Sequence, residues 1–383
     1  MAQFDENFIK ITEYEVLGKL PDPFLKPDGT RVKTAEEFNE HKKELYKTAV
    51  ELQYGTQPPK PEFLDVELLH GGKGWRSSHY RITTGKKDKP ISFLMRVYVP
   101  VTKEKCPVII TGDLCFDYFR TDEYLEYLLN RNIGFVTFNR LELANDVWQQ
   151  TGKIGPLFDL YPEYTFGAIG AWAWGYSRCI DALEKLDLFD LSCIAFTGHS
   201  RGGKTAMLAG ALDERAAIVN PNATCQGACS CYRIHMKAIT EGGIEKESER
   251  LKDLVTRFDF WMGEGLNDYM DCEEKLPFDS HYLKALVAPR TLFISEAASD
   301  IWANPIGSWM TTMAAKEVFK LYGKEDNVYW YFRKGYHFHK PEDIHMLANV
   351  IKHKTEGEPL SDNFFVTPFK QPELIYDWRC PEK

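Results

Sequence analysis

The pattern of apolar and polar positions changes character near residue 90. Upstream, residues 1 to about 65 mix charge with proline, carry turn signals such as Pro27-Asp28-Gly29, and break at Pro58-Pro59. One helical stretch, around Ala35 to Leu52, interrupts them. Residues 1–65 therefore read as an N-terminal extension packed on a larger domain that spans 66–383. Downstream, short apolar runs alternate with helical stretches. Phe93–Val99, Val108–Thr111, Ile133–Phe138, Cys193–Thr197, Ala217–Asn220, Thr291–Ser295 and Val328–Phe332 read as strands. Several are nearly unbroken in Val, Ile, Leu and Phe, as strands buried on both faces should be. Between them, Glu123–Asn130, Tyr176–Leu186 and Lys204–Leu212 read as helices. This alternation predicts an α/β fold, a mostly parallel central sheet with helices on both faces in a three-layer sandwich. The segment 223–287 has a weaker strand signal and reads as an insertion near the functional edge of that sheet. There is no internal repeat and no low-complexity tract.

Composition narrows the function classes. The 383 residues carry 47 Lys+Arg against 56 Asp+Glu, a net charge of −9. That balance argues against a nucleic-acid partner, which needs clustered cations. No run of about 18 apolar residues is present to span a membrane. The first ten residues, MAQFDENFIK, lack the basic start and apolar stretch of a signal peptide. Nine cysteines without regular pairing fit a reducing compartment. The expectation is a soluble, cytoplasmic protein. Aromatic residues reach 14 %, which reads equally as core filling and as the lining of a cleft for a ring-shaped ligand such as a sugar.

The strongest local signal is Gly198-His199-Ser200-Arg201-Gly202-Gly203-Lys204, between the apolar run Cys193–Thr197 and a helical segment. Gly-x-Ser-x-Gly in a strand–turn–helix context is a nucleophile elbow, the signature of an α/β-hydrolase. The glycines let strand and helix approach closely around a serine on a tight turn. The helix that follows aims amide donors at the place where an oxyanion would form.

A serine nucleophile needs a base, and the base needs a carboxylate to orient it. In this fold they follow in the order serine, acid, histidine. Glu296 and Asp300 lie after the strand Thr291–Ser295, and Asp300 is favoured because its shorter side chain suits the loop. His337 and His339 follow the strand Val328–Phe332. His337 is favoured as the first after the Gly335 turn, with His339 second. Glu296 otherwise reads as a solvated loop carboxylate. His337, His339 and His345 lack an accompanying Cys or carboxylate cluster at ligand spacing, so no metal is expected. Cys225, Cys229 and Cys231 read as buried thiols. Gly202-Gly203 and Gly242-Gly243 belong to no phosphate-binding string, and no cofactor is expected.

These residues resemble a known family, the glucuronoyl esterases (carbohydrate esterase family 15), whose elbow Gly198 to Lys204 repeats. The likeness continues through Ala171-Trp172-Ala173-Trp174-Gly175-Tyr176-Ser177-Arg178, Gly210 to Arg215, Leu276 to His281, Ala288-Pro289-Arg290 and Asp300-Ile301-Trp302-Ala303-Asn304-Pro305. Leu20 to Pro23 and Gln53-Tyr54-Gly55 are similar to the bacterial members. The resemblance implies an α/β-hydrolase that cleaves the ester between 4-O-methyl-glucuronic acid on xylan and an alcohol of lignin. It implies Ser200 as nucleophile, His337 as base, and Arg201 holding the oxyanion through its amide and guanidinium. It also implies that Lys204 contacts sugar hydroxyls, that Glu249, twelve residues before Trp261, binds sugar, and that Trp302 packs on the uronate ring.

Many members carry a catalytic Glu after the strand that follows the elbow helix. Here Ala223 falls at that place, which leaves Asp300 as the acid. Taken singly, Arg201 reads also as a partner for a carboxylate, Lys204 as a solvated helix residue and Trp302 as core. The expected activity is a serine carboxylic-ester hydrolase acting on uronate esters of xylan-derived saccharides. The alternatives are an acetyl- or other carboxylesterase on small carbohydrate or aryl esters, and a non-catalytic sugar-binding homologue. The expected partner is a small-molecule or oligosaccharide ester, and the oligomeric state is open.

Overall fold

The structure, a computed structural model, describes residues 10–74, 76–101, 104–115, 122–147, 152–239, 243–361, 364 and 372–382. Most of the first ten residues and Gly242, both read above, lie outside the described residues. In chain order the strands are β1 (Lys10–Val16), β2 (Phe63–His70), β3 (Ser77–Lys86), β4 (Lys89–Tyr98), β5 (Val108–Thr111) and β6 (Gly134–Phe138). They continue as β7 (Ile194–His199), β8 (Ala216–Asn222), β9 (Ile234–Ile239), β10 (Glu245–Glu247), β11 (Thr291–Ala297) and β12 (Val328–Arg333).

Nine strands form one sheet in the order β12-β11-β8-β7-β5-β6-β4-β3-β2. From β12 to β6 every pairing is parallel, and from β6 to β2 every pairing is antiparallel. The two halves differ in burial as their pairing requires. Every residue of β5, β6, β7 and β12 is buried, because helices cover both faces. Strand β4 alternates buried and exposed positions, because only one of its faces packs on the core.

The helix Ala168–Leu186 starts eight residues before the predicted Tyr176. Its first half is a run of Ala, Trp and Gly whose apolar character extends around the helix, which hides the 3.6-residue period. The helices Pro305–Leu321 and Pro341–Glu356 complete the covering layers. Helix Ala35–Leu45 is capped by Thr34, whose hydroxyl accepts the amide of Glu37, and runs on through Tyr54. It buries Phe38, Leu45, Ala49, Val50 and Tyr54 in the main core, where Phe24 meets Trp378 edge-on at 6.1 Å.

The segment 223–287 holds β9 and β10, with β9 pairing between β1 and β10 in a separate three-stranded antiparallel sheet, and short helices at Leu251–Arg257 and Ser280–Ala285. Among the described residues no helix is long and apolar enough to cross a membrane.

Candidate active site

The parallel strands end at one edge of the sheet, where ligands of such sheets are bound. His199 at the end of β7 lies opposite Asn222 at the end of β8, Asn222 opposite Ser295 on β11, and Ala297 opposite Arg333 at the end of β12. The loops leaving β7, β11 and β12 carry Ser200, Asp300 and His337, so parallel register alone gathers residues 137 positions apart.

Ser200 has φ 57° and ψ −122°, a conformation that costs about 1–3 kcal/mol in a residue with a side chain. The surrounding backbone enforces it. The Ser200 amide donates to Asn222 O at 2.9 Å, and its carbonyl accepts the Lys204 amide at 2.9 Å, starting the helix Arg201–Leu212. A Cβ on Gly198 would sit 2.3 Å from the carbonyl oxygen of Gly202, and one on Gly202 would sit 2.1 Å from Asp113 Oδ1. Only glycine permits the approach at either place.

His337 Nε2 lies 2.9 Å from Ser200 Oγ, and His337 Nδ1 lies 2.6 Å from Asp300 Oδ2. An ionised carboxylate only accepts, so Nδ1 carries the proton and Nε2 is left to accept from the serine hydroxyl. Asp300 is buried and also caps the turn Ile301–Ala303, its Oδ1 accepting the Ala303 amide at 3.3 Å. The base loop is held from beneath by Arg333. Its guanidinium bonds both oxygens of buried Asp343 at 2.8 and 3.0 Å and reaches the carbonyls of Lys334, Tyr336 and Phe338. Ser299 donates to Gly335 O at 2.8 Å, which ties the acid loop to the base loop.

The other candidates stand elsewhere. His339 is buried and stacked on His199 at 5.4 Å, and burial pushes its imidazole down to about 4. Glu296 is not a solvated loop carboxylate. The strand β11 continues two residues past its predicted end, so Glu296 lies opposite Phe332 inside the sheet at 1 % exposure, where burial pushes its carboxyl up to about 8. Ala223 follows β8 with φ 46° beside Cys225, Trp302 and Ala303. Cys225, Cys229 and Cys231 are buried, and burial raises their thiols. His345 lies against Tyr127, with the ring centroids 3.8 Å apart and the planes 33° from parallel. Among the described residues no three His, Cys, Asp or Glu side chains converge as a metal site would need.

Lys204 is not a solvated helix residue. It is 1 % exposed, and its ammonium donates to Thr224 O at 2.6 Å, to Gln226 O, and to Glu249 Oε2 at 2.7 Å. An ammonium has three donors, so none remains over in this arrangement for a sugar hydroxyl. Burial raises the Glu249 carboxyl, an effect that Lys204 opposes. The Glu249 amide donates to Trp302 O at 3.0 Å, which links the two remaining candidates. Trp302 is partly exposed, with the Arg257 guanidinium 5.5 Å over its ring. Arg201 is about one-third exposed, and its Nη1 pairs with Asp146 Oδ1 at 3.1 Å.

The family described as glucuronyl esterase, fungi, matches residues 82–323. The chain belongs to the glucuronyl esterase family. It is 28 % identical over 382 residues to 4-O-methyl-glucuronoyl methylesterase 1 of Wolfiporia cocos, covering 95 % of this chain and 89 % of the relative. It is 30 % identical over 375 residues to the 4-O-methyl-glucuronoyl methylesterase of Hypocrea jecorina, covering 95 % and 76 %. A solved carbohydrate esterase family 15 glucuronoyl esterase from Caldicellulosiruptor kristjansonii matches the fold with a TM-score of 0.84 at 29 % identity, over 95 % of this chain and 98 % of that one. The glucuronoyl esterase catalytic domain from Hypocrea jecorina matches with a TM-score of 0.79 at 26 % identity, over 96 % and 98 %. As a glucuronyl esterase the chain has the α/β-hydrolase fold and is a carboxylic ester hydrolase.

Sequence reasoning missed Asp113, Arg140, Asp146, Arg333 and Asp343. Each is an ordinary charged residue without a motif, and only the third dimension brings it to the site. Arg201 reads also as a partner for a carboxylate, and the structure pairs it with Asp146, 55 positions away, which nothing in the sequence pointed to.

Proposed function

We propose that this chain hydrolyses uronate esters of xylan-derived saccharides, through an acyl-enzyme on Ser200. The observation that carries the reading is the pair of hydrogen bonds that runs from Ser200 Oγ through the His337 imidazole to Asp300. In the first step Ser200 Oγ attacks the ester carbonyl carbon while His337 Nε2 takes the hydroxyl proton. Asp300 keeps the proton on Nδ1 and stabilises the imidazolium that forms. The carbonyl oxygen becomes an oxyanion, met by the Arg201 amide at the start of the helix and by the Arg201 guanidinium. Removing one such donor from related chemistry costs about 10²–10³ in rate.

As the tetrahedral intermediate collapses, the bond to the alcohol oxygen breaks and His337 Nε2 returns its proton to that oxygen. Water then attacks the acyl-enzyme by the same route, and the uronic acid leaves with Ser200 restored. Partly exposed Trp302, with the buried Lys204–Glu249 pair tied to it through the Glu249 amide, is the group that suits a ring rich in hydroxyls. Trp302 offers a partly exposed face, and Glu249 a carboxylate acceptor. Lys204 acts there through Glu249, whose carboxylate it holds. The names of the relatives, 4-O-methyl-glucuronoyl methylesterases, support the same substrate class.

The test compares the methyl ester of 4-O-methyl-glucuronic acid with p-nitrophenyl acetate, using the wild type and Ser200→Ala. The expected outcome is a higher kcat/KM on the uronate ester and the loss of both activities in Ser200→Ala by at least about a thousandfold. Preference for the acetate would replace the uronate reading with that of a general carboxylesterase.

A further inference from the structure

Beside the elbow, charges of alternating sign run from the sheet to the mouth of the site. Asp113 Oδ2 accepts the amide of His199, the residue before the nucleophile, at 2.9 Å, and Asp113 Oδ1 pairs with Arg140 Nη1. Arg140 is fully buried, with its guanidinium 4.9 Å from the Trp172 ring, and its Nη2 lies 3.8 Å from Asp146 Oδ2. The other oxygen of Asp146 meets two donors, Arg201 Nη1 at 3.1 Å and Trp261 Nε1 at 3.0 Å. Arg201 Cζ also lies over the Trp261 ring, 4.8 Å from its centroid, and Phe258 backs the indole at 4.1 Å with the rings 5° from parallel. The Asp146 side chain and Trp261 are each about 3 % exposed, while the Arg201 side chain is about one-third exposed.

A long arginine side chain at a site mouth carries about 2 kcal/mol of rotamer entropy, and an unheld guanidinium spends little time where an oxyanion forms. Its donors lie in one plane. Fixing Nη1 on a carboxylate and the face on an indole therefore fixes the direction of the remaining N–H groups. We propose that Asp146 and Trp261 are positioning residues for ester hydrolysis: they hold the Arg201 guanidinium in the orientation that meets the developing oxyanion. The inference rests on the assignment of Arg201 made above. Neither residue touches the ester. Both act through Arg201, so their effect belongs to the transition state and not to substrate binding.

The test measures kcat and KM on the methyl ester of 4-O-methyl-glucuronic acid for Asp146→Asn, Trp261→Phe, Arg201→Ala and each combination with Arg201→Ala. Asp146→Asn keeps the shape and removes the charge; Trp261→Phe keeps an aromatic face and removes the N–H. Asp146→Asn is expected to lower kcat by about 10- to 100-fold with KM within about twofold, and Trp261→Phe by about tenfold. In the Arg201→Ala background neither substitution should lower kcat further. Equal losses in both backgrounds overturn the proposal, because they show a structural effect that bypasses Arg201. Unchanged kcat in Asp146→Asn and Trp261→Phe, with a large loss in Arg201→Ala, also overturns it and leaves the role of Arg201 intact. An Arg201→Ala enzyme with normal kcat removes the oxyanion assignment itself. Should Asp146→Asn fail to fold, Trp261→Phe carries the same cycle alone.

Discussion

Asp300 divides its carboxylate between two partners, His337 at one oxygen and the Ala303 amide at the other. The amide bond fixes which oxygen faces the imidazole. An asparagine at this position can turn its NH₂ toward Nδ1, which favours the tautomer with the proton on Nε2 and stops it from accepting from Ser200. Asp300→Asn is therefore expected to lose up to about 10⁴ in kcat. Glu296→Gln should stay within about twofold of wild type, since its carboxyl is held protonated to about pH 8 and the amide replaces one neutral group by another. The opposite ranking of the two variants would transfer the role of the acid to Glu296. The serine was legible in the sequence because its motif is local: five consecutive residues build the elbow. The acid was left as a choice between two carboxylates four positions apart. What separates them is that one ends in the sheet and the other in the loop, and that depends on where β11 stops pairing with β12.

At the scale of elements, what was legible follows from how each is buried. Strands β5, β7 and β8 stand out as apolar runs because helices cover both their faces. Strands β2 and β3 carry His, Arg, Glu and Thr on their open face, and β2 exposes Leu68 and Leu69, so neither shows a continuous run. The small sheet of β1, β9 and β10 depends on pairing across more than 200 residues, which no local pattern records. The helix Arg201–Leu212 was read as Lys204–Leu212, yet its Lys204 is spent inside the protein. It clamps the carbonyls of Thr224 and Gln226 and the carboxylate of Glu249, joining the elbow helix to the segment after β8. Lys204→Ala leaves that carboxylate buried without its cation, and urea unfolding should show a loss of about 3–5 kcal/mol. A loss below about 1 kcal/mol, the range of a solvated ion pair, would mean that the clamp does not hold the segment.

Across the whole molecule, buried titratable groups set how stability varies with pH. Burial pushes His281 and His339 down to about 4, from an ordinary value near 6.5. Between those limits the unfolded chain binds protons that the folded chain refuses, so stability falls as pH drops from about 6.5 toward 4. Buried His199 is shifted in the same direction and adds to this limb. Glu296 works with the opposite sign. Its carboxyl, pushed up to about 8 by burial, stays protonated in the folded chain while the unfolded chain ionises near 4.5. Its contribution is complete at low pH and is lost as pH rises toward 8, and buried Glu249, also raised, acts alike. With two or more histidines against Glu296 below pH 6.5, and the carboxyls alone above it, stability should peak near pH 6.5. Each group contributes about 1.4 kcal/mol per pH unit within its window. Denaturant unfolding at pH 5, 6.5 and 8 should thus show His281→Gln with a shallower acid limb, by about 2 kcal/mol between pH 5 and 6.5. Glu296→Gln should lose less than wild type between pH 6.5 and 8, by a similar amount. A Glu296→Gln profile that runs parallel to wild type over that interval would show that Glu296 is ionised in the folded protein at neutral pH, and that a cation in its surroundings, Lys284 or Arg333, outweighs its burial.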